Sequence, residues 1–509
     1  MSLRIWAAGL LTAACVWTAV PAGAAELKVS ALFADGMVLQ RDARVPIWGT
    51  ADDGATVTVT LGAQTVSATA AKGKWTAYLE PVPAGGPFEI TVVSAGTTIR
   101  LRDVLAGDVW LCAGESNMEW SMLGAYNGLP AIAASRNPRL RLFQVGKMIA
   151  PVPRHELQGR WQPVTPETLG DFSAVAYFFG RELQKSIDVP IGLIQVTWSA
   201  TPAESWTSRD GLQRDPRLTY MLDAQAKALD EYVQSVDALI VELQKYRDDT
   251  VRSIAVGTDA PALPSFSPFL SPAFRAGSPA NVYNGMIAPI APLGIRGVVL
   301  YQGEANVARY KEYPAVLPAL IADWRRAWQR EALPFLIVQL APYGRVDAEP
   351  QDSRWAEIRE VQRTVAAATP GTYLVVTTDA GTPGTMNPID KEPVGARLAL
   401  AARALEYRQS VVASGPAYES MRIEGGKAIL QFEHCGSGLV AKDNHLAGFA
   451  IAGEDGKFVR ARAQIQGDTV IVWSPAVTKP VSVRYGWGDF PDGTLMNREG
   501  LPASPFQVQ

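Results

Sequence analysis

Short stretches in which apolar and polar residues alternate dominate the two ends of the chain. Between residues 26 and 105, runs such as ATVTVTL, KWTAYLE and FEITVVS are separated by glycine, aspartate and proline. A period of two, broken by turn residues, is typical of short strands that bury one face. The pattern returns in AILQFEH, TVIVWSP and VSVRYGW near the C-terminus. We therefore predict an N-terminal β-sandwich over 26–105 and a β-rich region over 409–509.

The pattern changes between residues 106 and 408, where continuous apolar runs alternate with helical stretches. The apolar runs are DVWLC, GLIQVTW, GVVLYQG, PFLIVQL and TYLVVTT, and the helical stretches include AVAYFFGRELQKSI and VGARLALAARALEY. Strands that are buried on both faces and joined by helices form a parallel sheet, so this region is predicted to be an α/β domain.

An insertion is predicted within this domain at residues 210–280. It contains a long amphipathic helix followed by a Pro/Ser/Phe-rich stretch, APALPSFSPFLSPAF. One face of the helix carries apolar residues at helical spacing: Leu222, Leu229, Tyr232, Val236, Leu239 and Leu243.

The first 25 residues have the composition of a secretory signal. Arg4 precedes the apolar run IWAAGLLTAACVWTAV, and the small residues of PAGAAE follow it. This order predicts cleavage after Ala24 or Ala25 and a periplasmic or secreted protein. No later segment is long and apolar enough to span a bilayer, so no integral membrane segment is expected after removal of the signal.

The composition and motifs of the chain limit the classes of partner and cofactor that we expect. The net charge of −3 and the lack of a basic tract argue against nucleic acid as a partner. No cysteine, histidine and carboxylate cluster has metal-ligand spacing and no glycine-rich nucleotide loop occurs, so neither a metal nor another cofactor is expected. Export leaves Cys112 and Cys435; Cys112 lies inside an apolar run and is predicted to be a buried free thiol.

Four of the predicted strands end in small or polar residues, in AGESNM, SATPAESW, QGEAN and DAGTPGTMNP. Ligands of open parallel sheets bind beyond the carboxyl ends of the strands. Ser116 follows the first of these strands at the start of a helix, where an exposed hydroxyl and nearby backbone amides suit nucleophilic attack on an ester. A serine at this place can also serve only as a helix cap.

Taken together, these segments resemble the sialate O-acetylesterase family, a branch of the SGNH hydrolases. Gly114–Met118 is similar to the family block G-Q-S-N-M, Trp198–Trp206 to W-G-G-T-x-A-E-x-W, and Tyr301–Asn306 to Y-Q-G-E-x-N. A further family-like run, YNGMIAP, occupies 283–289. The resemblance implies a flavodoxin-like, three-layer α/β sheet and a carbohydrate substrate from which O-acetyl groups are removed through an acyl-serine intermediate.

The resemblance also implies roles for particular residues. Ser116 matches the nucleophile, and the oxyanion donors would be its own amide, an amide of the Ser199/Ala200 turn and the Gln302 side chain. Glu304 and Asn306 would support this arrangement. The candidate substrate-binding residues are Asn117, Ala200, Thr201, Trp206, Asn284, Asn306 and Asn387.

The chain departs from the family pattern at two places. The block T-D-x-G-x-x-x-D-I-H-P-x-x-K aligns without a gap to Thr378–Lys391, which places Thr385 at the aspartate position and Asn387 at the position of the histidine base. Asparagine cannot be a general base near neutral pH. His155, His434 and His445 lie in other contexts and are predicted to be surface or structural residues. The second departure is Glu115, where the family has glutamine.

Three hypotheses follow. The esterase persists, with Glu115, Glu304 or a water molecule taking the serine proton. The protein is a carbohydrate-binding pseudo-esterase with little or no activity. The third possibility is a glycoside hydrolase that uses Glu115 and Glu304 as a carboxylate pair, which requires carboxyl groups roughly 5–9.5 Å apart.

Overall fold

The structure is a computed structural model that describes residues 26–264, 275–346 and 349–509. The predicted signal at 1–25 lies outside the described residues, as does part of the Pro/Ser/Phe-rich stretch. Within the described ranges, no helix combines the length and the apolar character needed to cross a bilayer.

The N-terminal part consists of one three-stranded sheet and of strands that join the central sheet through the last strand, β8 Thr97–Gly114. Its strands are β1 Lys28–Val29, β2 Val38–Gln40, β3 Val45–Thr50, β4 Thr56–Leu61, β5 Gln64–Thr69, β6 Lys74–Leu79, β7 Gly85–Ser94 and β8 Thr97–Gly114. Strands β1, β3 and β6 form one sheet, while β4 pairs with β5 and β7, and β7 pairs with β8. Every second side chain of β4 and β6 is buried, as the alternating pattern predicts.

Strand β8 leaves this part without interruption and enters the central sheet. It is 18 residues long, antiparallel to β7 as far as Ala106, and paired with strands of the central sheet from Asp108 onward. Its burial changes from interrupted to continuous at Val104, where the sequence changes from mixed to apolar. One strand therefore passes through residue 105, where we predict a domain boundary.

A buried carboxylate lies where β8 enters the central sheet. Asp108 is 0% exposed and accepts hydrogen bonds from Arg41, Arg296, Gln40 and Tyr407. Burial alone would raise the pKa of Asp108, but the two guanidinium groups outweigh it and hold the pKa below its ordinary value. Asp108 therefore joins the N-terminal part, the central sheet and the end of the last long helix.

The central sheet is mainly parallel. In addition to β8 it contains β9 Asn137–Gln144, β10 Trp161–Val164, β11 Ile191–Thr197, β12 Gly297–Tyr301, β13 Phe335–Val338 and β14 Thr372–Val375. The strand order is β10-β9-β11-β8-β12-β13-β14, and only the pairing of β10 with β9 is antiparallel. The predicted α/β fold is confirmed, with a sheet that is mixed rather than purely parallel because of this edge strand.

Helices connect and cover these strands. They are α1 Ser116–Glu119, α2 Gly128–Ala133, α3 Pro166–Leu169, α4 Ala174–Ile187, α5 Arg209–Gln213, α6 Thr219–Val256, α7 Tyr313–Ala327, α8 Arg354–Ala368 and α9 Glu392–Leu405. Helix α4 packs against α9, and α7 packs against α8. The long helix α6 is present as predicted, but only its first turns are buried: Leu222 is 3% exposed, whereas Leu229 is 37% exposed.

The C-terminal part is again built from strands: β15 Ala417–Glu424, β16 Lys427–Glu433, β17 Leu439–Ala441, β18 Phe449–Ala452, β19 Val459–Arg460, β20 Arg462–Gln466, β21 Thr469–Trp473, β22 Ser482–Tyr485, β23 Leu495–Asn497 and β24 Phe506–Val508. It has a hydrophobic core of its own, whereas the N-terminal and central parts share one core. The buried Arg359 of α8 attaches this part by donating to the carbonyl oxygens of Gly488 and Asp489. Cys112 is a buried free thiol, as predicted, and Cys435 is also unpaired.

Candidate active site

Three neighbouring strands of the central sheet, β8, β11 and β12, end at residues that are paired side by side, on one row of the sheet. Gly114, the last residue of β8, pairs with Thr197 of β11 on one side and with Tyr301 of β12 on the other. The turns that begin at Glu115, Trp198 and Gln302 therefore start side by side. Glycine is required at 114, because a Cβ atom there would lie 2.0 Å from the Tyr301 carbonyl oxygen.

Ser116 is the first residue of α1 and is partly exposed, whereas its neighbours Glu115 and Asn117 are buried. Its backbone N–H lies in the first turn of the helix, where no acceptor within the helix is available. The hydroxyl and the amide that esterase chemistry needs are therefore at the surface of this turn.

Asn117 attaches the fourth predicted segment to this turn. Its Nδ2 donates to the Met386 carbonyl oxygen at 3.1 Å and to Glu304 Oε1 at 2.6 Å, and its Oδ1 accepts from Lys391 Nζ at 2.5 Å. The side chain is thus fully used inside the protein, and its role in substrate binding stays a prediction. Burial lowers the pKa of Lys391 to about 7, against the opposing effect of the nearby carboxylates Glu304 and Asp390.

The 385–387 segment contains no general base. Thr385 Oγ1 is hydrogen-bonded to the main chain of Asn387, 3.3 Å from its nitrogen. Asn387 Oδ1 is buried and has no partner among the described residues. The three histidines are exposed and lie elsewhere: His155 contacts Lys74 at 2.7 Å, His434 is near Glu433, and the backbone of His445 bonds to Lys442.

The second turn is fixed by Glu119, a residue that the sequence analysis missed. Glu119 Oε2 accepts both the Ser199 amide, at 2.7 Å, and the Ser199 hydroxyl, at 2.6 Å, while Oε1 pairs with Lys147. Burial acts to raise the pKa of Glu119, but these donors outweigh it and lower the pKa. The Ser199 amide is therefore not free to stabilise an oxyanion, and Ala200 is the remaining amide of this turn. The sequence signal that could have identified Glu119 is its helical spacing: it lies three residues after Ser116 and therefore on the same face of α1.

Two residues of this second segment that are predicted to contact substrate, Thr201 and Trp206, are buried. Trp206 is 0% exposed and donates from Nε1 to Thr201 Oγ1 at 2.9 Å. Thr201 is 1% exposed and donates in turn to the Trp198 carbonyl oxygen. Ala200 is exposed and has a φ of 59°, a left-handed conformation that favours glycine, the residue of the family block.

The third turn is held by buried amides. Gln302 is 2% exposed; its Nε2 lies 2.9 Å from Asn306 Oδ1 and 3.4 Å from the Thr201 carbonyl oxygen. Asn306 is 0% exposed and also bonds to the Ala203 amide and to Glu204. Asn306 therefore positions its neighbours, and its contact with substrate stays a prediction. Gln302 can act as an oxyanion donor only by giving up the longer of its two contacts.

Asn284, which is also predicted to contact substrate, has an internal role. It is 4% exposed, and its Nδ2 donates to the Ala150 carbonyl oxygen at 3.1 Å. Its own carbonyl oxygen accepts from the Arg154 amide. The family-like run at 283–289 therefore anchors the loop that follows β9.

Glu115 and Glu304 form a buried carboxyl pair. Glu115 Oε1 accepts the amides of Gly303 and Ala305 at 3.2 and 3.1 Å. The pKa of Glu115 is raised well above its ordinary value, first by burial and then by the charge of Glu304 and a hydrogen bond with its carboxyl group. Glu115 is 2% and Glu304 is 6% exposed, so neither carboxyl group of the hypothetical glycosidase pair faces an open cleft.

A cleft borders these turns on the β9 side of the sheet. It has a volume of about 540 Å³ and is lined by residues that include Gln144, Lys147, Arg160, Gln162 and Thr197. Thr197 pairs directly with Gly114, and Lys147 contacts both Glu119 and the ring of Trp198. The side chains of Gln144, Arg160 and Gln162 have no hydrogen-bond partner in the described parts of the chain. The cleft thus offers free polar groups on the side of the sheet where β9 and β11 end.

Comparison with known proteins gives consistent matches. A family model described as carbohydrate esterase, sialic acid-specific acetylesterase matches residues 273–392. The chain is 31% identical over 424 residues to the sialate O-acetylesterase of Rattus norvegicus, covering 75% of this chain and 74% of that protein. For the Homo sapiens sialate O-acetylesterase the values are 30% over 464 residues, with 84% and 80% covered.

A solved structure is similar over nearly the whole length. The crystal structure of a carbohydrate acetylesterase from Xanthomonas citri has a TM-score of 0.80 and 36% sequence identity, and the match covers 95% of this chain and 99% of that chain.

Proposed function

The chain belongs to the sialate O-acetylesterase family of hydrolases, and from this premise we propose that it removes O-acetyl groups from a carbohydrate with Ser116 as the acyl-accepting nucleophile. The observation that carries the proposal is the single row on which β8, β11 and β12 end, because it brings the partly exposed Ser116 beside the Ala200 and Gln302 turns. The similarity to a carbohydrate acetylesterase over nearly the full length supports the same chemistry.

The strand order supports an SGNH-type arrangement for the central domain. Without the edge strands β10 and β9, the order is β11-β8-β12-β13-β14. Counted along the chain this is 2-1-3-4-5, the flavodoxin-like order, in which ligands bind where the order reverses. Ser116 follows β8, the strand at that point of reversal.

In the proposed reaction, Ser116 Oγ bonds to the acetyl carbonyl carbon and the sugar oxygen leaves as an alcohol. Water then releases acetate from the acyl-serine. In this proposal the amides of Ser116 and Ala200 stabilise the oxyanion, and each well-placed donor is worth roughly 10²–10³ in rate. Asn387 Oδ1, which lacks a partner among the described residues, supplies an acceptor that can orient a hydroxyl group but cannot remove its proton.

The serine proton therefore goes to water or hydroxide in this proposal. Lys391, the buried amine of lowered pKa, is already bonded to Asn117. Export is also part of the proposal, and it is supported by the order of charged, apolar and small residues in the N-terminal segment 1–25, which is that of a secretory signal.

Acetate release from acetylated oligosaccharides tests the function directly. We expect acetate to appear while the sugar chain stays intact, because the proposed nucleophile at the rim is a serine and the carboxyl pair is buried behind it. Aryl glycosides serve as the matched control and should not be cleaved. Cleavage of the aryl glycoside, or binding of the oligosaccharide without acetate release, would contradict the proposal.

The cleft is proposed to hold the part of the glycan next to the acetylated sugar. Arg160→Ala and Gln162→Ala should each raise KM for an acetylated oligosaccharide about 2- to 10-fold, the value of one lost hydrogen bond of about 0.5–1.5 kcal/mol. Hydrolysis of p-nitrophenyl acetate, which does not reach the cleft, should be unchanged. Arg462→Ala, an exposed arginine of β20, is the matched control. An unchanged KM in both cleft variants would place the glycan elsewhere.

A further inference from the structure

We infer that Glu115 keeps its proton in the folded protein and is a positioning residue that holds the Gln302 turn beside Ser116. Glu115 immediately precedes Ser116, and its Oε1 accepts two amides of the neighbouring turn, those of Gly303 and Ala305. This side chain is therefore a direct link between the end of β8 and the turn after β12. The catalytic consequence rests on the proposed function, whereas the structural consequence does not.

The hydrogen bonds of Glu304 show why a proton is needed. Glu304 Oε1 accepts from Asn117 Nδ2 at 2.6 Å, but Oε2 is buried and has no donor from any described residue. The two amides that Glu115 Oε1 accepts, those of Gly303 and Ala305, flank Glu304 in the chain, so the two carboxyl groups are close neighbours and act on each other. Two ionised carboxylates that are close neighbours in a buried site repel each other. A proton on one of them removes this repulsion and supplies the hydrogen-bond donor that Glu304 Oε2 lacks.

The hydrogen bonds favour Glu115 as the group that holds the proton, because the acceptor that lacks a donor is Glu304 Oε2. Glu304 has the Asn117 amide as a donor and the buried Lys391 as a neighbouring cation. The donors that the described residues give to Glu115 are backbone amides. Tyr301 and Tyr313 also face the pair, and burial raises their pKa values far enough for both phenols to stay neutral. Below the lowered pKa of Lys391, about 7, one proton held by the carboxyl pair therefore leaves this cluster without net charge.

A protonated glutamate has nearly the shape of glutamine, the residue in the corresponding family block. In both, the carbonyl oxygen can accept from Gly303 and Ala305 while the other terminal group donates to Glu304. Glu115→Gln is therefore the conservative variant that reproduces the proposed state at every pH. Glu115→Ala removes the link altogether.

The pH dependence follows from the raised pKa of Glu115. Folding favours its protonated form, so this contribution to stability is complete below the ordinary glutamate pKa of about 4.3 and is lost as pH rises through the folded value. Above that point a second negative charge faces Glu304 and weakens the attachment of the Gln302 turn.

The test compares wild type, Glu115→Gln and Glu115→Ala from acidic to alkaline pH, by thermal unfolding and by kcat/KM for p-nitrophenyl acetate. Glu115→Gln should match wild type at acidic pH and exceed it increasingly in Tm and kcat/KM as pH rises. Glu115→Ala should have a lower Tm at every pH, with kcat/KM reduced roughly 10- to 100-fold through misplacement of the turn. Lys391 titrates in all three proteins, so the comparison isolates Glu115.

Two results would overturn the inference. If Glu115→Gln loses stability or activity as Glu115→Ala does, the ionised carboxylate is the required form. If the difference in Tm between wild type and Glu115→Gln is the same at every pH, Glu115 is not the group that holds the proton. Unfolding does not depend on ester hydrolysis, so a lack of activity in all three proteins would count against the proposed function alone.

Discussion

Replacing Ser116 by alanine should abolish the acyl-enzyme and lower kcat/KM for p-nitrophenyl acetate, by less than the roughly 10⁴-fold or more seen when an intact triad loses its nucleophile, because triad residues act as a unit and this chain already lacks the histidine base. Ser116 directly follows the turn after β8, and its hydroxyl is at the rim where the neighbouring turns supply backbone amides. The remaining rate would reflect oxyanion stabilisation by those amides. Steady-state hydrolysis measures the loss of kcat/KM, and mass spectrometry shows whether an acetyl group is bound to Ser116.

Ser121→Ala is the matched control for this substitution. Ser121 follows α1, is partly exposed and makes no side-chain hydrogen bond within the described residues. Its variant should keep full activity. Equal rates for wild type and Ser116→Ala would mean that the turn binds sugar without forming an acyl intermediate, which is the pseudo-esterase hypothesis.

Restoring the family's acid–base pair should produce the largest gain. The double variant Thr385→Asp, Asn387→His is expected to raise kcat/KM by roughly 10²–10⁴-fold, the contribution of a positioned general base. The pH profile should change with it: wild type, which lacks such a base, rises with hydroxide concentration, whereas the double variant should level off above a histidine pKa of about 6.5. Measuring kcat/KM of both proteins at pH values below and above about 6.5 checks the size of the gain and the shape of the pH profile.

Asn387→His alone separates the two contributions. With threonine still at position 385, no carboxylate holds the imidazole in the tautomer that accepts the serine proton, so the single variant should gain less than the pair. The segment is already tied to Asn117 through the Met386 carbonyl oxygen, which keeps residue 387 beside the Ser116 helix. No gain from the double variant would mean that the rim has diverged at further positions.

The position of the site could be predicted from the sequence because it follows from chain order. Four apolar runs of the central region end in small or polar residues, and parallel strands bring such ends to one edge. The register of Gly114 with Thr197 and Tyr301 agrees with that prediction. The long helix α6 was predictable from its period, but its exposure was not, because amphipathic spacing does not show whether a partner covers the apolar face.

The direction of individual side chains could not be predicted from motif letters. The sequence position of Trp206 suggests an aromatic ring that stacks on a sugar, yet the ring is buried and its Nε1 donates to Thr201. Asn117 and Asn306 resemble ligand-binding amides, yet all their polar atoms are used within the protein. The contact of Glu115 with Glu304 joins segments that are far apart in the chain, and only the fold brings them together.

The continuity of β8 limits how this hydrolase can be dissected or recombined. A fragment that starts at residue 106 would begin in the middle of a hydrogen-bonded strand and would leave the buried Asp108 without Arg41 and Gln40. The N-terminal part and the central sheet share strand β8 and are not joined by a linker. A chimera that exchanges either part must therefore join two sequences within the strand that ends at the nucleophile. Loss or replacement of the amino-terminal module is thus coupled to the geometry of the reacting hydroxyl.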